Sequence, residues 1–413
     1  MENKKKSKLW SFSFTILVII NSVNAIVSYM INPVFPDFLV SNGVTFELTG
    51  IISSLLSWIA LLLRPFAGYY SDRMNKKHLM IISYVGTAIC VYGYSLCHSF
   101  GSALIVRILN GVFFGLSGTV SMAFAASFVP VERMAEGVGY IGLASLIGNL
   151  CGPRLGNVIG DVFGINILFI LATVVSLLCS LIIIMVPYKH IQQKTARSIN
   201  LSGLFAKELT VYMLIIGLFS FGNGIISYYL RNMGNTRGIK NISLFFTVYS
   251  ICMLFIKPYA GKLHDKKNVS FILFPAFILY TVGIIILANS YSLLPVLIAA
   301  VFKAIGQGSG SPAIQAEGIK ILGKERSGVA SSTIMIGQDI GNGLGPIYAS
   351  KVINNIGYTN MFYVYAVMLI TGFVGYYIFI QKKRGDKNGK RRIDNSFNGF
   401  EYGRQNLSDY SGK

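Results

Sequence analysis

Asp339 and Lys303 stand deep in apolar sequence, where neither keeps its charge without a partner. Two readings of the pair stand. Either they form a buried ion pair that holds helices together, or protonation of Asp339 releases Lys303 and turns proton uptake into movement. Nearer the edge of the apolar runs, Asp37, Glu47, Arg107 and Arg154 come from four different segments. They suit a network in which a carboxylate titrates against Arg107, although Asp37 and Glu47 also read as solvated segment ends, and Arg107 as a side chain snorkelling outward. Glu317, two residues after Gln315, is a further candidate acid or a loop residue. The polar stripe Asn21, Asn24, Ser28 lies on one helical face, and Ser220, Asn223, Ser227 mirror it. Tyr29, Tyr228 and Tyr229 sit beside these stripes; with Lys303, Gln307 and Asp339 they are expected to wall a cavity for a small molecule. The competing reading is hydrogen bonding between helices.

The elements that must hold these residues are membrane helices. Hydrophobic residues make up 53% of the 413-residue chain and charged residues 13%, and the mean hydropathy is +0.59. Apolar runs of about 20 residues, the length that crosses a bilayer, recur throughout. Twelve are expected, at 10–32, 46–70, 79–98, 101–126, 137–160, 165–187, 209–230, 242–263, 269–289, 291–318, 327–350 and 359–380. The first follows Lys4, Lys5, Lys6 and Lys8 and is too long for a cleaved signal peptide, so it is expected to remain as a span.

A net charge of +20 raises the question of nucleic acid, and its placement argues against it. With the N-terminus taken as cytoplasmic, the outer loops hold only Arg231, Arg237, Lys240 and Lys351 of the 36 Lys and Arg residues. That is the positive-inside distribution, and it places both ends in the cytoplasm. The tail with Lys382-Lys-Arg and Lys390-Arg-Arg reads as a stop-transfer and a contact for anionic lipid. Five scattered cysteines and four dispersed histidines offer neither a disulfide framework nor a metal site.

The chain repeats itself. Arg64-Pro-Phe-Ala-Gly68 through Asp72 recurs as Lys257-Pro-Tyr-Ala-Gly261 through Asp265, 193 residues later. At the same offset, Gly148-Asn-x-x-Gly152-Pro153 recurs as Gly341-Asn-x-x-Gly345-Pro346, and Glu132-Arg133 as Glu325-Arg326. The first and seventh spans match at an offset of 199. This predicts two parallel six-helix halves, 1–187 and 209–381, joined by a polar linker at 188–208 and followed by a basic tail at 382–413. Parallel repeats create a two-fold axis along the membrane normal, with a site at the midplane between the halves. The fold class is therefore all-α integral membrane.

Three motifs carry a resemblance. Gly68-x-x-x-Asp72-Arg73-x-x-Lys76-Lys77, read as a tight turn between the second and third spans, resembles the loop signature of the major facilitator superfamily. Arg107-x-x-x-Gly111 resembles its fourth-helix motif, with Asn110 where the family more often has glutamine. Gly148-x-x-x-Gly152-Pro153-x-x-Gly156 resembles the fifth-helix motif of its antiporters. The resemblance covers essentially the whole chain and points to the twelve-helix drug or metabolite:proton antiporters. It implies that Gly68, Asp72, Arg73 and Lys77, with Gly261 and Asp265, latch the halves on the cytoplasmic side. It also implies that Arg107 takes part in proton coupling.

From the residues alone, glycines at 148, 152, 156 and 160 form a bare groove that admits a neighbouring backbone, and Pro153 bends the helix there. The expected activity is proton-driven export of a drug or endogenous metabolite by a monomer in the cell membrane, moving small-molecule substrate against protons. Uptake by symport or facilitated diffusion is the alternative, and a membrane sensor or scaffold a third. No Walker loop, metal cluster or nucleophile constellation suggests an enzyme or an ATP-driven pump. No cofactor and no nucleic acid are expected.

Overall fold

The computed structural model describes residues 8–44, 46–97, 99–188 and 203–408. The described residues are helical, with no strand among them. The first six helices are α1 (Phe12–Ser41), α2 (Phe46–Arg73), α3 (Lys76–Tyr94), α4 (Phe100–Phe128), α5 (Met134–Ile141, resuming as Leu143–Phe163) and α6 (Ile165–Met185). Then come α7 (Thr210–Thr236), α8 (Leu244–Lys266), α9 (Val269–Ala288) and α10 (Leu293–Leu322). The final helical stretch, Ser327–Ser408, is parted at Gly357 by a φ of 79° into α11 (327–356) and α12 (from 358). Most of the linker expected at 188–208 falls outside the described residues, as do the side chains of the tail from 383 on.

The helices keep the 193-residue register seen in the motifs. α3 and α9 begin at 76 and 269, α4 and α10 at 100 and 293, and α5 and α11 follow short 3-10 turns at Val131–Arg133 and Lys324–Arg326. Gly164 and Gly357 take the same left-handed turn, with φ of 89° and 79°, at equivalent breaks. Only glycine adopts that φ without strain, so this residue type is required at both corners.

Among the described residues, nine helical stretches are long and apolar enough to cross a membrane by length and composition. The remaining three of the twelve expected spans are α2, α3 and α11. α3 opens on Lys76-Lys77-His78, while α2 and α11 carry Arg64, Asp72 and Asp339 along the contact between the halves. Arg64, Asp72 and Asp339 are thus directed at protein rather than lipid.

Several boundaries move relative to the sequence reading. α1 continues to Ser41 because Phe35, Phe38 and Leu39 are buried, so Asp37 stands within a helix and not at its end. α2 runs through Asp72 and Arg73, which leaves only Met74 and Asn75 as the turn before α3. α10 extends to Leu322 and places half-buried Glu317 on a helix, not in a loop.

Within each half, glycines bring backbones together. A Cβ on Gly148 would lie 2.7 Å from the carbonyl carbon of Ala25, and one on Gly152 would lie 2.6 Å from the Cβ of Tyr29. Gly156 abuts the Met30 carbonyl, so the bare face of α5 is filled by α1. Gly337, Gly341 and Gly345 of α11 meet the Met213, Gly217 and Phe221 carbonyls of α7 in the same way. Close backbone approach of this kind replaces the hydrophobic driving force that lipid removes.

Candidate functional site

The two halves meet along two seams, α2 against α11 and α5 against α8. At the end of the first, Asp72 accepts backbone N–H bonds from Gly328 (2.6 Å) and Val329 (2.9 Å). At the end of the second, Asp265 accepts from Ala135 (3.0 Å) and Glu136 (2.9 Å). Both acids stand at the end of their own helix and bind the first turn of a helix from the other half. That turn presents unpaired N–H groups and the positive end of the helix dipole, which a carboxylate satisfies. Hydrogen bonds to a charged group contribute roughly 1.5–3 kcal/mol each.

Gly68 and Gly261 allow these contacts. Gly68 lies against Ser332 and the Gly328 carbonyl, and Gly261 against the backbone of Ala135 and Glu136. The cations around them behave differently from the expectation. Arg73 stacks on the ring of Tyr69, 3.7 Å from its centroid, within α2. Lys77 donates to the Ile184 and Val186 carbonyls (2.7 and 2.8 Å) and so caps α6 of its own half. Neither bridges the halves. Buried Lys76 does, donating to Ser327 Oγ at 2.8 Å. Lys324, on the turn before α11, donates to the Val129 carbonyl; burial lowers its pKa and Glu132 partly restores it.

Further along the first seam, Asp339 pairs with Arg64, not with Lys303. The Arg64 Nε and Nη2 both bond its carboxylate, the second at 3.1 Å, and Nη1 lies 3.3 Å from the Met335 sulfur. Arg64 is nine residues from the end of α2, or about 13 Å at helical rise, which is close to the bilayer midplane. In the sequence Arg64 stands out only as the first residue of the repeated stretch that ends the second span. Depth alone, the rule that singled out Asp339, applies equally to Arg64. The repeat equivalent of Arg64, Lys257, donates to the Gly142 carbonyl at the break in α5 (2.8 Å).

Lys303 is buried in the second half instead. Its ammonium donates to Gln307 Oε1 (2.9 Å) and Asn223 Oδ1 (3.2 Å) and lies 3.7 Å from the centroid of the Tyr249 ring. Tyr249 in turn donates its hydroxyl to Gln307 (2.9 Å), and Asn223 Nδ2 lies 3.4 Å from Asn342 Oδ1. Ser220 is buried nearby on α7, while Ser227 and Tyr228 are exposed farther along and Tyr229 is half-buried.

In the first half, Asn21 accepts from the Tyr84 hydroxyl (2.9 Å), whereas its Nδ2 and the Oδ1 of Asn24 are buried without a hydrogen-bond partner among the described residues. Ser28 bonds the Asn24 carbonyl of its own helix, and Tyr29 packs against Gly152. Pro153 lies inside α5, and Gly148, Gly152 and Gly156 face α1. Arg107 is buried, not snorkelling: it donates to the Tyr94 hydroxyl (3.1 Å) with the Phe35 ring 5.1 Å away. The side chains of Asp37 and Glu47 lie outside the described residues. Arg154 is exposed.

Comparison with known proteins bears on this arrangement. Residues 17–240 and 212–405 both match the family described as the Major Facilitator Superfamily. The multidrug resistance protein MdtG of Enterobacter lignolyticus is 24% identical over 364 residues, covering 83% of this chain and 85% of its own. An MFS-type transporter of Methanocaldococcus jannaschii is 24% identical over 323 residues, covering 75% and 83%. Among solved structures, the human organic anion transporter MFSD10 superposes with a TM-score of 0.76 at 18% identity, covering 87% of this chain and 98% of its own. A bacterial homologue of the iron transporter ferroportin, in its outward-facing state, gives 0.74 at 14% identity, covering 90% and 100%.

Proposed function

The chain belongs to the Major Facilitator Superfamily and is a multi-pass membrane transporter, not an enzyme; from that premise we propose that it is a proton-coupled antiporter exporting a small organic molecule from the cell. The observation that carries the reading is the ion pair of Arg64 and Asp339 between α2 and α11, at membrane depth and between the halves. Rocking of the halves must break this pair, so whatever neutralises Asp339 governs the rocking.

The basic distribution of loops makes the end with Asp72 and Asp265 cytoplasmic. Both carboxylates are engaged there, so that side is shut and the opposite side is the one available to substrate. Asp339 is not sealed: its side chain is 20% exposed. In this outward-facing arrangement it takes a proton from outside. The neutral acid no longer balances Arg64, the seam weakens, and the latch opens to the cytoplasm. There the proton leaves, substrate binds, and the charged pair re-forms as the halves rock back. The cycle moves protons inward and cargo outward. The glycine-proline packing of α5 on α1, whose sequence resembles that of antiporters, supports the same direction.

The test uses everted vesicles containing the full chain, energised to an acidic interior and offered a panel of dyes and antibiotics. Accumulation of a compound, with alkalinisation of the lumen on its addition, is the expected result. Transport that acidifies the lumen means symport. The absence of any substrate-linked proton movement overturns proton coupling.

A further inference from the structure

Lys303 raises an electrostatic question that the Arg64–Asp339 pair leaves open. Lys303 is 1% exposed, and its partners among the described residues are neutral: two amide oxygens and the rings of Tyr249 and Tyr280. Among the described residues no carboxylate lies within 4.0 Å of the ammonium, and Asp339 is held by Arg64. Amide oxygens and an aromatic face solvate an ammonium, but they do not cancel its charge in a low-dielectric interior. A buried cation in a membrane protein marks a functional site, with the balancing charge still to be named.

The repeat equivalent of this position carries no charge. Lys303 stands 193 residues after Asn110, which is buried at the equivalent position of α4. Asn223 stands 199 residues after Asn24, and Asn342 stands 193 after Asn149. One half therefore carries three amides where the other carries two amides and an ammonium. In the first half the amides are not joined, since Asn149 is exposed and Asn24 Oδ1 has no hydrogen-bond partner among the described residues; the second half gathers its amides around an ammonium.

The route to that charge is also visible. Asn223 and Asn342 are half-buried, unlike Lys303 and Gln307 behind them, and the 3.4 Å contact between their side chains is the longest in the set. A carboxylate oxygen arriving past them replaces Asn223 Oδ1 on the ammonium. The amide of Asn223 is then free to turn its N–H groups to the second oxygen. Gln307 and Tyr249 stay in place and hold the ammonium from behind.

We propose that Lys303, Asn223 and Asn342 form the binding site for the anionic group of the cargo, and that the cargo is an organic monocarboxylate. A single ammonium in a neutral cage balances one negative charge, which favours a monocarboxylate over a dicarboxylate or a phosphate. Once paired, the site is neutral overall and crosses between the two open states without carrying an unbalanced charge. The proposal rests on the transport reading above and supplies its substrate class.

The test compares matched pairs that differ in charge alone: benzoate with benzamide, hexanoate with hexanamide, and 1-naphthoate with 1-naphthamide. Each is added to the purified full chain, and thermal unfolding is followed by intrinsic fluorescence. At least one carboxylate is expected to raise the unfolding midpoint at concentrations at least tenfold below its amide. Lys303→Asn, which copies the other half, should abolish that difference, and Lys303→Arg should retain part of it. The wild-type comparison stands even where a variant fails to fold. Carboxylates that protect no better than their amides in all three pairs overturn the proposal, as does carboxylate protection that survives in folded Lys303→Asn. Uptake of labelled benzoate by the energised everted vesicles separates the two claims. If a dye is pumped against protons and benzoate neither moves nor competes, the transporter stands and the carboxylate site falls. If the protection depends on Lys303 but no compound moves, the site stands and the transport reading falls.

Discussion

The two seams between the halves are built from repeated sequence; they differ in side pairings, with Lys320 on Asp265 and Lys76 on Ser327, and most of all at membrane depth. Asp72 on Gly328 and Val329 and Asp265 on Ala135 and Glu136 are the same contact at a 193-residue offset. One turn deeper they still agree, with glycine against backbone on both sides. At the level of Arg64 and Lys257 they part. Arg64 meets the carboxylate of Asp339, while Lys257 meets, among the described residues, the Gly142 carbonyl, because the residue equivalent to Asp339 is buried Leu146. The latch is duplicated and the titratable pair is not. Under the proposed coupling, a proton taken up at this depth acts on the first seam, which gives a symmetric fold an asymmetric response.

Breaking the comparison begins with the deep cations. Arg64→Met and Asp339→Asn should each reduce proton-coupled transport at least about 100-fold, as the loss of roughly 3 kcal/mol on breaking a buried ion pair implies. Lys257→Met should cost less than about tenfold, since no charge partner is left behind. Initial rates in everted vesicles decide this, and equal losses on the two seams would remove the asymmetry. A smaller effect is expected at the latch. Asp72→Asn and Asp265→Asn should each shift the halves toward the cytoplasm-open state about tenfold, by weakening a charged helix cap worth roughly 1–2 kcal/mol. Distances between spin labels at His78 and Lys267 report the shift, and a response to only one of the two substitutions would show that the seams are not equivalent. The smallest effect belongs to Lys77→Ala, which removes a cap on α6 worth roughly 0.5–1 kcal/mol and should leave those label distances unchanged. A change in the distances would return Lys77 to the latch.

Much of this was legible in the sequence. The 193-residue register and the glycine faces follow from spacing that survives in both halves, and Asp72 and Asp265 were singled out by the resemblance of their motif. What spacing does not give is direction around a helix. Asp339 and Lys303 have matching depth along α11 and α10, and depth made them a pair; in the structure Asp339 faces α2 and Lys303 faces α7 and α8. Arg64 was hidden by its neighbours, since the motif at the end of α2 drew attention to the turn and away from the midplane. Tyr249 gave no signal at all, because a tyrosine in an apolar run looks the same whether it packs or caps a cation. Lys76 and Lys77 are adjacent, and only the cap that each one reaches distinguishes them.

The exchange of Asp72 and Asp265 has one more consequence. Each half offers a carboxylate and, on a different helix, the amide nest that receives one. The joint is isologous, like the interface of a two-fold dimer, and the geometry closes after two units. With both donors and both acceptors engaged, neither seam leaves a free end to recruit a third half. The pairing of the two halves is thereby closed within one chain.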